Sequence, residues 1–501
     1  MKKGIVKIAE AKKMDEPMED KRERDGSGPP VEEQDMAELS PRNLWDEGVE
    51  TDDADGGNGT AAGTNDGYEK YRDRAFVTNE YGDEEALSED YANEGVLSGD
   101  HAASGEGGAV NGNGIRENIE IKDGHEEVEG ILEIVEGGFG FLGFDNFLTS
   151  EDDVYVSTSQ IRRFALRTGD KVKGLKRPAN PGDRFGALIF LVSVNGKAPY
   201  DMYKRKWFKD LTPIHPNERI KLETTPDELA TRTIDLVAPI GKGQRGLIVA
   251  PPKAGKTVLL KKIAMAVEQN HPEIELIVLL VDERPEEVTE MKRCLANGSV
   301  IYSTFDEQPS HHVKVAQMVM ERARRLAEDG RDVMILLDSI TRLARAYNLT
   351  VTPSGRTMSG GFDPAALHPP KQFFGTARNI EEGGSVTILA TALIDTGSRM
   401  DELIFEEFKG TGNMDIQLDR KLSEHRIFPA ISLFRSGTRN ERLLLSEQEY
   451  DAIRKLLSMM YAREISEAKA TEMVLDKLAS TKSNAEFISQ LSELLSKYKQ
   501  K

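Results

Sequence analysis

Residues 245–257 have the sequence RGLIVAPPKAGKT, an apolar run followed directly by a loop and by the start of an amphipathic stretch. This order of strand, loop and helix fits the phosphate-binding loop pattern, although Ala250 stands where the pattern usually has glycine. Backbone N–H groups of such a loop point at the phosphates, and the dipole of the following helix favours an anion there. The stretch therefore predicts an α/β domain that binds a nucleotide.

The last residues of this loop have side chains suited to phosphate chemistry. Gly255 lets the backbone approach closely, Lys256 is expected to reach the terminal phosphates, and the Thr257 hydroxyl can hold Mg²⁺. A chance match to a short pattern is the alternative, and the correct order of strand, loop and helix argues against it. The expected ligand is ATP with Mg²⁺.

Two further apolar runs end in carboxylates. The run DVMILLDS contains Asp338 at the carboxyl end of an expected strand, where a water-mediated contact with Mg²⁺ is the natural role. The run LIVLLVDERPEEV brings Asp282 and Glu283 to the end of another buried strand. Phosphoryl transfer to water needs a group that orients the attacking water, and Glu283 is the candidate. The alternative for Glu283 is an acid favoured by the dipole at a helix N-terminus.

Apolar runs alternate with amphipathic stretches on both sides of this loop. The apolar runs are at 246–250, 276–281, 333–337 and 386–393. The stretches TVLLKKIAMAVEQ and HHVKVAQMVMERARRLAED lie between them. This alternation is typical of a largely parallel sheet covered by helices. We assign 229–501 to an ATPase domain that resembles the RecA type and ends in closing helices.

Residues 123–200 show a different pattern, in which short β-branched and aromatic runs are broken by Gly, Asn and Asp. The pattern predicts a small all-β barrel of the OB or cold-shock type. The motif GFGFL places Phe139 and Phe141 two apart on a strand, so both project from one face. Such a pair can stack bases, and Tyr155 and Phe185 can extend the platform. The alternative is that these rings fill the barrel core.

Two acidic residues of the predicted barrel and the connector after it are also informative. Asp153 and Asp183 can accept hydrogen bonds from exocyclic amines, as acids do with cytosine. Residues 201–228, with Pro, Lys and aromatic residues, form the connector to the ATPase domain.

The net charge of −20 comes almost entirely from one end of the sequence. Residues 1–120 contain 13 Lys and Arg against 31 Asp and Glu, whereas the remainder contains 53 against 55. The nearly neutral remainder removes the objection that so acidic a protein is a poor nucleic-acid binder. Residues 1–122 are rich in Gly, Asp, Glu, Asn and Ser and are predicted to form a disordered acidic extension.

The cysteine content and the lengths of the apolar segments indicate the expected cellular location of the protein. Cys294 is the one cysteine, which excludes an intrachain disulfide and a cysteine cluster for zinc. No apolar run is long enough for a signal peptide or a membrane span, so the expected location is the cytoplasm.

Several separate strings resemble the Rho family of transcription termination factors. They are GKGQRGLIVAPPKAGKT, VDERPEEVTEM, LLDSITRLARAYN, ALIDTGSRMDE, EEFKGTGNM and FRSGTR. The likeness runs from about Gly130 to about Asn484, in the family's order. It implies a homohexameric, RNA-dependent ATPase that moves 5′ to 3′ along single-stranded RNA and releases transcripts from RNA polymerase.

The resemblance also implies residue roles at the nucleotide. Arg284 would approach the phosphates, Phe428 would stack on adenine, and Arg439 resembles an arginine finger that reaches the neighbouring subunit's ATP. Without the resemblance, Arg439 would be taken for a surface charge. The segments implied to line the nucleotide are Gly241, Lys242, Gly243, Gln244, Arg245 and Gly246, and then Lys253, Ala254, Gly255, Lys256, Thr257 and Val258.

Two loops and one lysine resemble the parts that grip RNA in the central channel of the ring. The loop SGRTMSGGFD contains Arg356, Thr357 and Gly360. The loop DTGSRMDE contains Arg399 where many relatives have Lys, a change that keeps the charge but alters its geometry. Lys409 in EEFKGTGN is the third candidate. Ordinary flexible loops are the alternative.

The chain departs from the family's pattern in the barrel and before it. Gly143, Asp183 and Phe185 stand where relatives often have Arg, Glu and Tyr, so the RNA preference is expected to differ. The acidic extension replaces the family's N-terminal helical subdomain, and no role is assigned to it.

Two other functions are alternatives to a termination motor. A subunit of a transport-type ATPase has the same core but needs no aromatic base-stacking face. A passive RNA-binding or assembly protein would bind RNA and leave ATP intact, and the set Lys256, Thr257, Glu283, Asp338 and Arg439 argues against that.

Overall fold

The computed structural model describes residues 125–144 and 146–498, so the predicted acidic extension lies outside the described residues. The described chain forms a closed five-stranded barrel followed by an α/β domain, which confirms the predicted fold class. Among the described residues, no helix is both long enough and apolar enough to cross a membrane.

The barrel closes in the strand order β1-β2-β3-β5-β4. Side chains alternate between its core and its surface: Leu142 and Val154 pair across β2 and β3 and are buried, whereas the neighbouring pair Phe141 and Tyr155 faces outward. A short helix, α1, begins after a capping box at Ser157. The elements are β1 Glu126–Ile134, β2 Gly140–Gly143, β3 Val154–Val156, α1 Thr158–Arg163, β4 Lys171–Arg177 and β5 Gly186–Val194.

The connector becomes part of the ATPase domain before the first helix of that domain. It contains the 3-10 turn Pro199–Lys204, then β6 (Pro213–Ile214), which pairs with β13 of the main sheet. Next come β7 (Arg219–Ile220), which pairs with β8, and helix α2 (Leu229–Val237).

The main sheet has the order β11-β10-β12-β14-β9-β15-β16. The first six strands in this order are parallel to one another. Its predicted strands are confirmed at β9, β10, β12 and β14. The strands β11, β13, β15 and β16 were not predicted. The strands are β8 Ile240–Gly241, β9 Arg245–Ala250, β10 Glu275–Glu283, β11 Ser299–Thr304, β12 Asp332–Asp338, β13 Arg378–Ile380, β14 Ser385–Leu393, β15 Met414–Gln417 and β16 Gly437–Thr438.

Helices cover both faces of this sheet and bury a separate apolar core on each. Because the strands are parallel, their carboxyl ends meet at one edge, where the loops that follow β9, β10 and β12 lie together. The helices are α3 Lys256–Asn270, α4 Pro285–Cys294, α5 Pro309–Glu328, α6 Ile340–Thr350, α7 His368–Gly375, α8 Arg399–Lys409, α9 Arg420–Glu424, α10 Glu447–Ala462, α11 Glu467–Ala479 and α12 Asn484–Tyr498.

Candidate nucleotide and RNA sites

The phosphate loop connects β9 to α3 in the predicted order. Gly255 has a φ of 90°, a left-handed conformation that glycine adopts without strain, and helix α3 begins at the next residue. The Nζ atom of Lys256 lies 2.5 Å from Oδ1 of Asp338 and 3.5 Å from Oε2 of Glu283. The structure thus brings together the lysine and the two carboxylates that were predicted from separate parts of the sequence.

Asp338 is fixed by its position at the end of β12. Its side chain is buried, and its Oδ1 accepts a hydrogen bond of 2.8 Å from the Thr391 hydroxyl on β14. Because Lys256 donates to the same oxygen, the carboxylate is held from two sides. A fixed, desolvated carboxylate of this kind suits the second-shell contact to Mg²⁺ that the sequence predicted.

Glu283 is buried beside this pair, with 3% of its surface exposed. A register shift at Asp282, whose φ is 54°, turns the last residue of β10 toward the phosphate loop. Its Oε2 accepts no hydrogen bond from the described residues, and the guanidinium of Arg342 lies 3.9 Å from its Oε1. Burial raises the pKa of Glu283, while the positive charge of Lys256 opposes the rise.

The side chains of Thr257 and Arg284 both contact the carboxylate of Glu287, in the first turn of α4. The Thr257 hydroxyl donates to Glu287 over 3.0 Å, and an Arg284 guanidinium nitrogen lies 2.9 Å from the same carboxylate. The Arg284 side chain is largely exposed, so it lies at the rim of the cluster rather than inside it.

A cavity of about 440 Å³ opens beside the phosphate loop. Its walls include Lys253, Ala254, Gly255 and Val258 from the loop and α3, and Phe428 faces them. The Phe428 side chain is 54% exposed, which leaves a ring face available for stacking. The structure therefore groups these residues with the phosphate cluster, as the sequence predicted.

The segment Gly241–Gly246 lies elsewhere. Its last two residues begin β9, and the remaining four residues of β9 separate it from the phosphate loop by roughly 13 Å at about 3.3 Å per residue. Lys242 pairs with Asp332 over 2.9 Å at the start of β12, and Gln244 donates to Asn413 over 2.6 Å. All of these contacts are at the amino ends of the strands, so the structure does not bring this segment to its own chain's phosphate loop.

Arg439 lies at the same amino-end edge. Its backbone N–H donates to Asn413 over 2.8 Å, and the backbone N–H of Asn413 donates to Arg245 over 2.9 Å. The Arg439 side chain is exposed. Burial lowers the pKa of Arg245, and the positive charge of Arg439 lowers it further. Neither arginine forms an ion pair within the described ranges. Burial raises the pKa of Asp415 on β15, and the charge of Arg439 opposes that rise, so among the described residues the arginines at this edge have one acid near them but no ion pair with it.

Four aromatic residues of the barrel, Phe139, Phe141, Tyr155 and Phe185, form one outward-facing group. The ring centroids of Phe141 lie 5.8 Å from Phe139, 6.1 Å from Tyr155 and 5.1 Å from Phe185. None of the four rings belongs to the buried core of the barrel, which excludes the alternative that they fill it. Arg184 places its guanidinium 5.1 Å from the Phe185 ring centroid. Edge-to-face rings with open faces suit the stacking of bases.

The two barrel acids differ in their surroundings. Asp153 is 4% exposed and accepts a hydrogen bond of 2.9 Å from the Ser150 hydroxyl, which orients its carboxylate. Asp183 is exposed and lies 3.8 Å from Arg177. Asp153 is the better positioned of the two for a directional contact with a base.

The two candidate channel loops touch each other. A Cβ atom at Gly360 would lie 2.5 Å from the backbone nitrogen of Met400, so only glycine allows this approach. Arg356, Thr357 and Arg399 are exposed beside this contact. Lys409 is at the far end of α8, about 15 Å away at 1.5 Å per residue. The structure groups the two loops and leaves Lys409 apart.

Three residues around the phosphate cluster were missed by sequence reasoning. Thr391 contacts Asp338, Arg342 lies between Asp282 and Glu283, and Glu287 accepts from Thr257. Arg342 had a signal, because it follows the strand-ending Asp338 by one helical turn. Thr391 had none, because only the pairing of β12 with β14 brings it to this site.

Two family models match separate parts of this chain. The family model described as ATP synthase alpha/beta family, nucleotide-binding domain, matches residues 230–438. The model described as Rho termination factor, RNA-binding domain, matches residues 128–200.

Curated relatives match over both parts. The transcription termination factor Rho of Bacillus subtilis (strain 168) is 57% identical over 370 residues, which cover 73% of this chain and 85% of the relative. That of Pseudomonas aeruginosa is 56% identical, and that of Escherichia coli (strain K12) is 54% identical. Each of these two matches covers 72% of this chain and 87% of the relative.

Proposed function

The chain belongs to the family of transcription termination factor Rho, and on that premise we propose that it is an RNA-dependent ATPase that terminates transcription. In this proposal it binds single-stranded nascent RNA, moves along it from 5′ to 3′ as ATP is hydrolysed, and releases it from RNA polymerase. The observation that carries the proposal is the aromatic face of the barrel, which a transport-type ATPase with the same nucleotide domain does not need.

ATP hydrolysis is assigned to the cluster at the carboxyl ends of the strands. Lys256 binds the terminal phosphates, and Glu283 orients the attacking water and accepts its proton. The buried Oε2 of Glu283 supports this role, because it accepts no hydrogen bond from the described residues and can accept one from water while Lys256 lies 3.5 Å away. Arg284 at the rim would contact the phosphates after leaving Glu287.

Mg²⁺ fits the oxygen donors beside Lys256. The Thr257 hydroxyl would bind it directly and Asp338 would bind it through water, since Mg²⁺ prefers hard oxygen ligands. When bound, Mg²⁺ neutralises charge on the phosphates. Before then, the Lys256–Asp338 pair keeps both side chains oriented toward the loop.

The arginines at the opposite edge are assigned to a neighbouring subunit's ATP. Arg439, together with Arg245, would stabilise the charge that develops during phosphoryl transfer. One chain cannot bring them to its own phosphate loop, because β9 lies between. A homohexameric ring would join each phosphate loop to the next subunit's arginines. The segment Gly241–Gly246 would then line the nucleotide from that neighbouring subunit.

RNA is assigned to two places. Bases would stack on Phe139, Phe141, Tyr155 and Phe185 of the barrel, with Asp153 and Asp183 accepting hydrogen bonds. The backbone would then pass the paired loops that contain Arg356, Thr357, Gly360 and Arg399, and Lys409 would contact it at another level. We assign 123–200 to RNA loading, 201–228 to the connector and 229–501 to the motor. We place the protein in the cytoplasm with its polymerase.

ATP hydrolysis by the purified protein tests the proposal. Turnover is measured without nucleic acid, with a cytosine-rich RNA and with a DNA of the same sequence. We expect strong stimulation by the RNA and little by the DNA. Hydrolysis that is indifferent to RNA would support a transport-type ATPase. RNA binding without hydrolysis would support a passive binding protein.

A further inference from the structure

The loop that joins β2 to β3 leaves the barrel and contacts the ATPase domain. Its two ends are in the strands that contain Phe141 and Tyr155 of the aromatic face. Midway, the side-chain amide of Asn146 donates to the backbone carbonyl of Tyr302, and the backbone N–H of Tyr302 donates to Oδ1 of Asn146 over 2.6 Å. Tyr302 is in β11, the edge strand of the main sheet.

Asn146 makes these two hydrogen bonds in the way a neighbouring strand residue would. An amide side chain offers one acceptor and one donor, the same pair that a peptide group presents to a sheet edge. The residue has a φ of 51°, a left-handed conformation that asparagine tolerates better than most residues. Asn is therefore suited to both the backbone and the contact at this position.

The residues after Asn146 hold the loop against the same domain. Phe147 and Leu148 pack against the apolar core on one face of the main sheet. Thr149 accepts a hydrogen bond of 3.1 Å from Lys314 on α5. The contact between Asn146 and Tyr302 is thus one part of a docked loop and not an isolated surface contact.

On its other side, β11 supports Glu283. Tyr302 pairs with Leu280 of β10, and two residues later Thr304 pairs with Glu283 across the register shift. The backbone N–H of Phe305 donates to the Glu283 carbonyl over 3.1 Å. A displacement of β11 would therefore move the backbone of Glu283 on the side opposite Asp338.

We infer that Asn146 is a positioning residue that couples RNA on the barrel to the catalytic geometry of Glu283. Bases stacked on Phe141 and Tyr155 fix both ends of the loop, and Asn146 passes this restraint to β11 and so to Glu283. The inference rests on the proposed RNA-dependent hydrolysis and adds a route within a single subunit.

A second junction keeps the barrel attached independently of Asn146. Arg205 of the connector donates to Asp170 of the barrel over 3.0 Å, and its Nε lies 3.6 Å from Glu328 of α5. Arg167 and Arg325 pair with Glu328 at 3.1 Å and 3.0 Å. Because this buried network does not involve the β2–β3 loop, changes at Asn146 should leave the barrel in place.

The test uses Asn146→Gly and Asn146→Asp in the full chain. Gly keeps the backbone conformation and removes both hydrogen bonds, and Asp keeps the size and the acceptor but removes the donor. The control is Asn195→Gly. Asn195 has a φ of 52°, accepts from Arg322 of α5 over 2.7 Å and donates to Asp170 over 2.8 Å, so this variant loosens the second junction and leaves the β2–β3 loop unchanged.

We expect both Asn146 variants to bind a cytosine-rich RNA within about twofold of wild type while turnover at saturating RNA falls about five- to tenfold. Asn195→Gly should keep wild-type turnover. In wild type, RNA should slow hydrogen exchange of the amides in 299–305, and Asn146→Gly should abolish that protection. Combined with Phe141→Ala, Asn146→Gly should cause no additional loss of turnover, because both changes interrupt one route.

Three results would overturn the inference: unchanged turnover in both Asn146 variants, a loss of RNA affinity that matches Phe141→Ala, or fully additive effects in the double variant. Melting temperatures close to that of Asn195→Gly exclude a general loss of folding. A wild-type protein that RNA does not stimulate would instead refute the proposed function.

Discussion

The two ends of the main sheet differ in the charge and in the burial of their side chains. At the carboxyl ends, Lys256, Glu283 and Asp338 are close together, and the two acids are buried. At the amino ends, Arg245 and the exposed Arg439 have no acidic partner within 4.0 Å among the described residues. In the proposed function, the first end binds and attacks phosphate, and the second end stabilises the transition state. Each end would then be half of a site, so the proposal predicts that the halves meet between subunits.

Arg439→Ala should have the largest effect, because an arginine finger contributes about 10³- to 10⁵-fold to turnover. ATP binding should change little, because Arg439 is far from its own chain's phosphate loop. The measurement is RNA-stimulated turnover together with nucleotide affinity. Arg442→Ala is the matched control, since Arg442 lies three residues on and stacks on Tyr450 of its own chain.

Mixed rings separate a shared site from a single-chain site. Arg439→Ala and Glu283→Gln subunits, each inactive alone, should regain turnover when mixed, because some interfaces then join an intact half from each. If Arg439→Ala alone keeps wild-type turnover, or if mixing restores nothing, the two ends do not form one site.

Glu283→Gln tests the carboxyl-end half and should lower turnover about 10²- to 10⁴-fold, the range for loss of a proton-accepting group. Nucleotide affinity should remain, since Gln keeps the shape and Lys256 is unchanged. Glu286→Gln, an exposed acid in the first turn of α4, is the control.

The pH profile gives an independent check on Glu283. Burial raises its pKa, and the residue must be ionised to accept a proton. Turnover should therefore fall as the pH drops through this raised pKa, at a higher pH than the ordinary glutamate value of about 4.3. The residual activity of Glu283→Gln should lack this acidic limb. If turnover of Glu283→Gln still falls at low pH in the same way, the fall is caused by the titration of another group.

The meeting of Lys256, Glu283 and Asp338 could be predicted because their sequence signals are local. The phosphate loop is contiguous, and Asp338 and Glu283 each follow an apolar run, so parallel pairing alone brings them to one edge. Thr391 could not be predicted, because it is 53 residues from Asp338 and reaches it through strand register. Period-two alternation likewise predicted a shared face for Phe139 and Phe141, but not whether that face was buried.

The position of Gly241–Gly246 shows what a family resemblance alone does not give. The resemblance implied that this segment lines the nucleotide, but not that it lies far from its own chain's phosphate loop. The intervening β9 is fully extended and carries the two segments to opposite ends of the sheet. Asn146 had no sequence signal either, because its partner Tyr302 is 156 residues away.

Phe141→Ala should have the smallest effect, because it removes no group from either half of the proposed ATP site. Loss of one stacking ring costs about 1–3 kcal/mol, or roughly 5- to 150-fold in RNA affinity. The RNA concentration for half-maximal ATPase activity should rise by that factor. Phe144→Ala is the matched control, because this 43% exposed ring is on the same barrel outside the four-ring group.

Short RNA that reaches the channel without using the barrel sharpens this last prediction. At a saturating concentration of such RNA, Phe141→Ala should lose less turnover than it does with long RNA. The difference between the two losses, each at saturating RNA, measures what barrel occupancy contributes through Asn146. Equal losses with short and long RNA would mean that Phe141 acts on hydrolysis itself, and the separation between RNA loading and the two halves of the ATP site would fail.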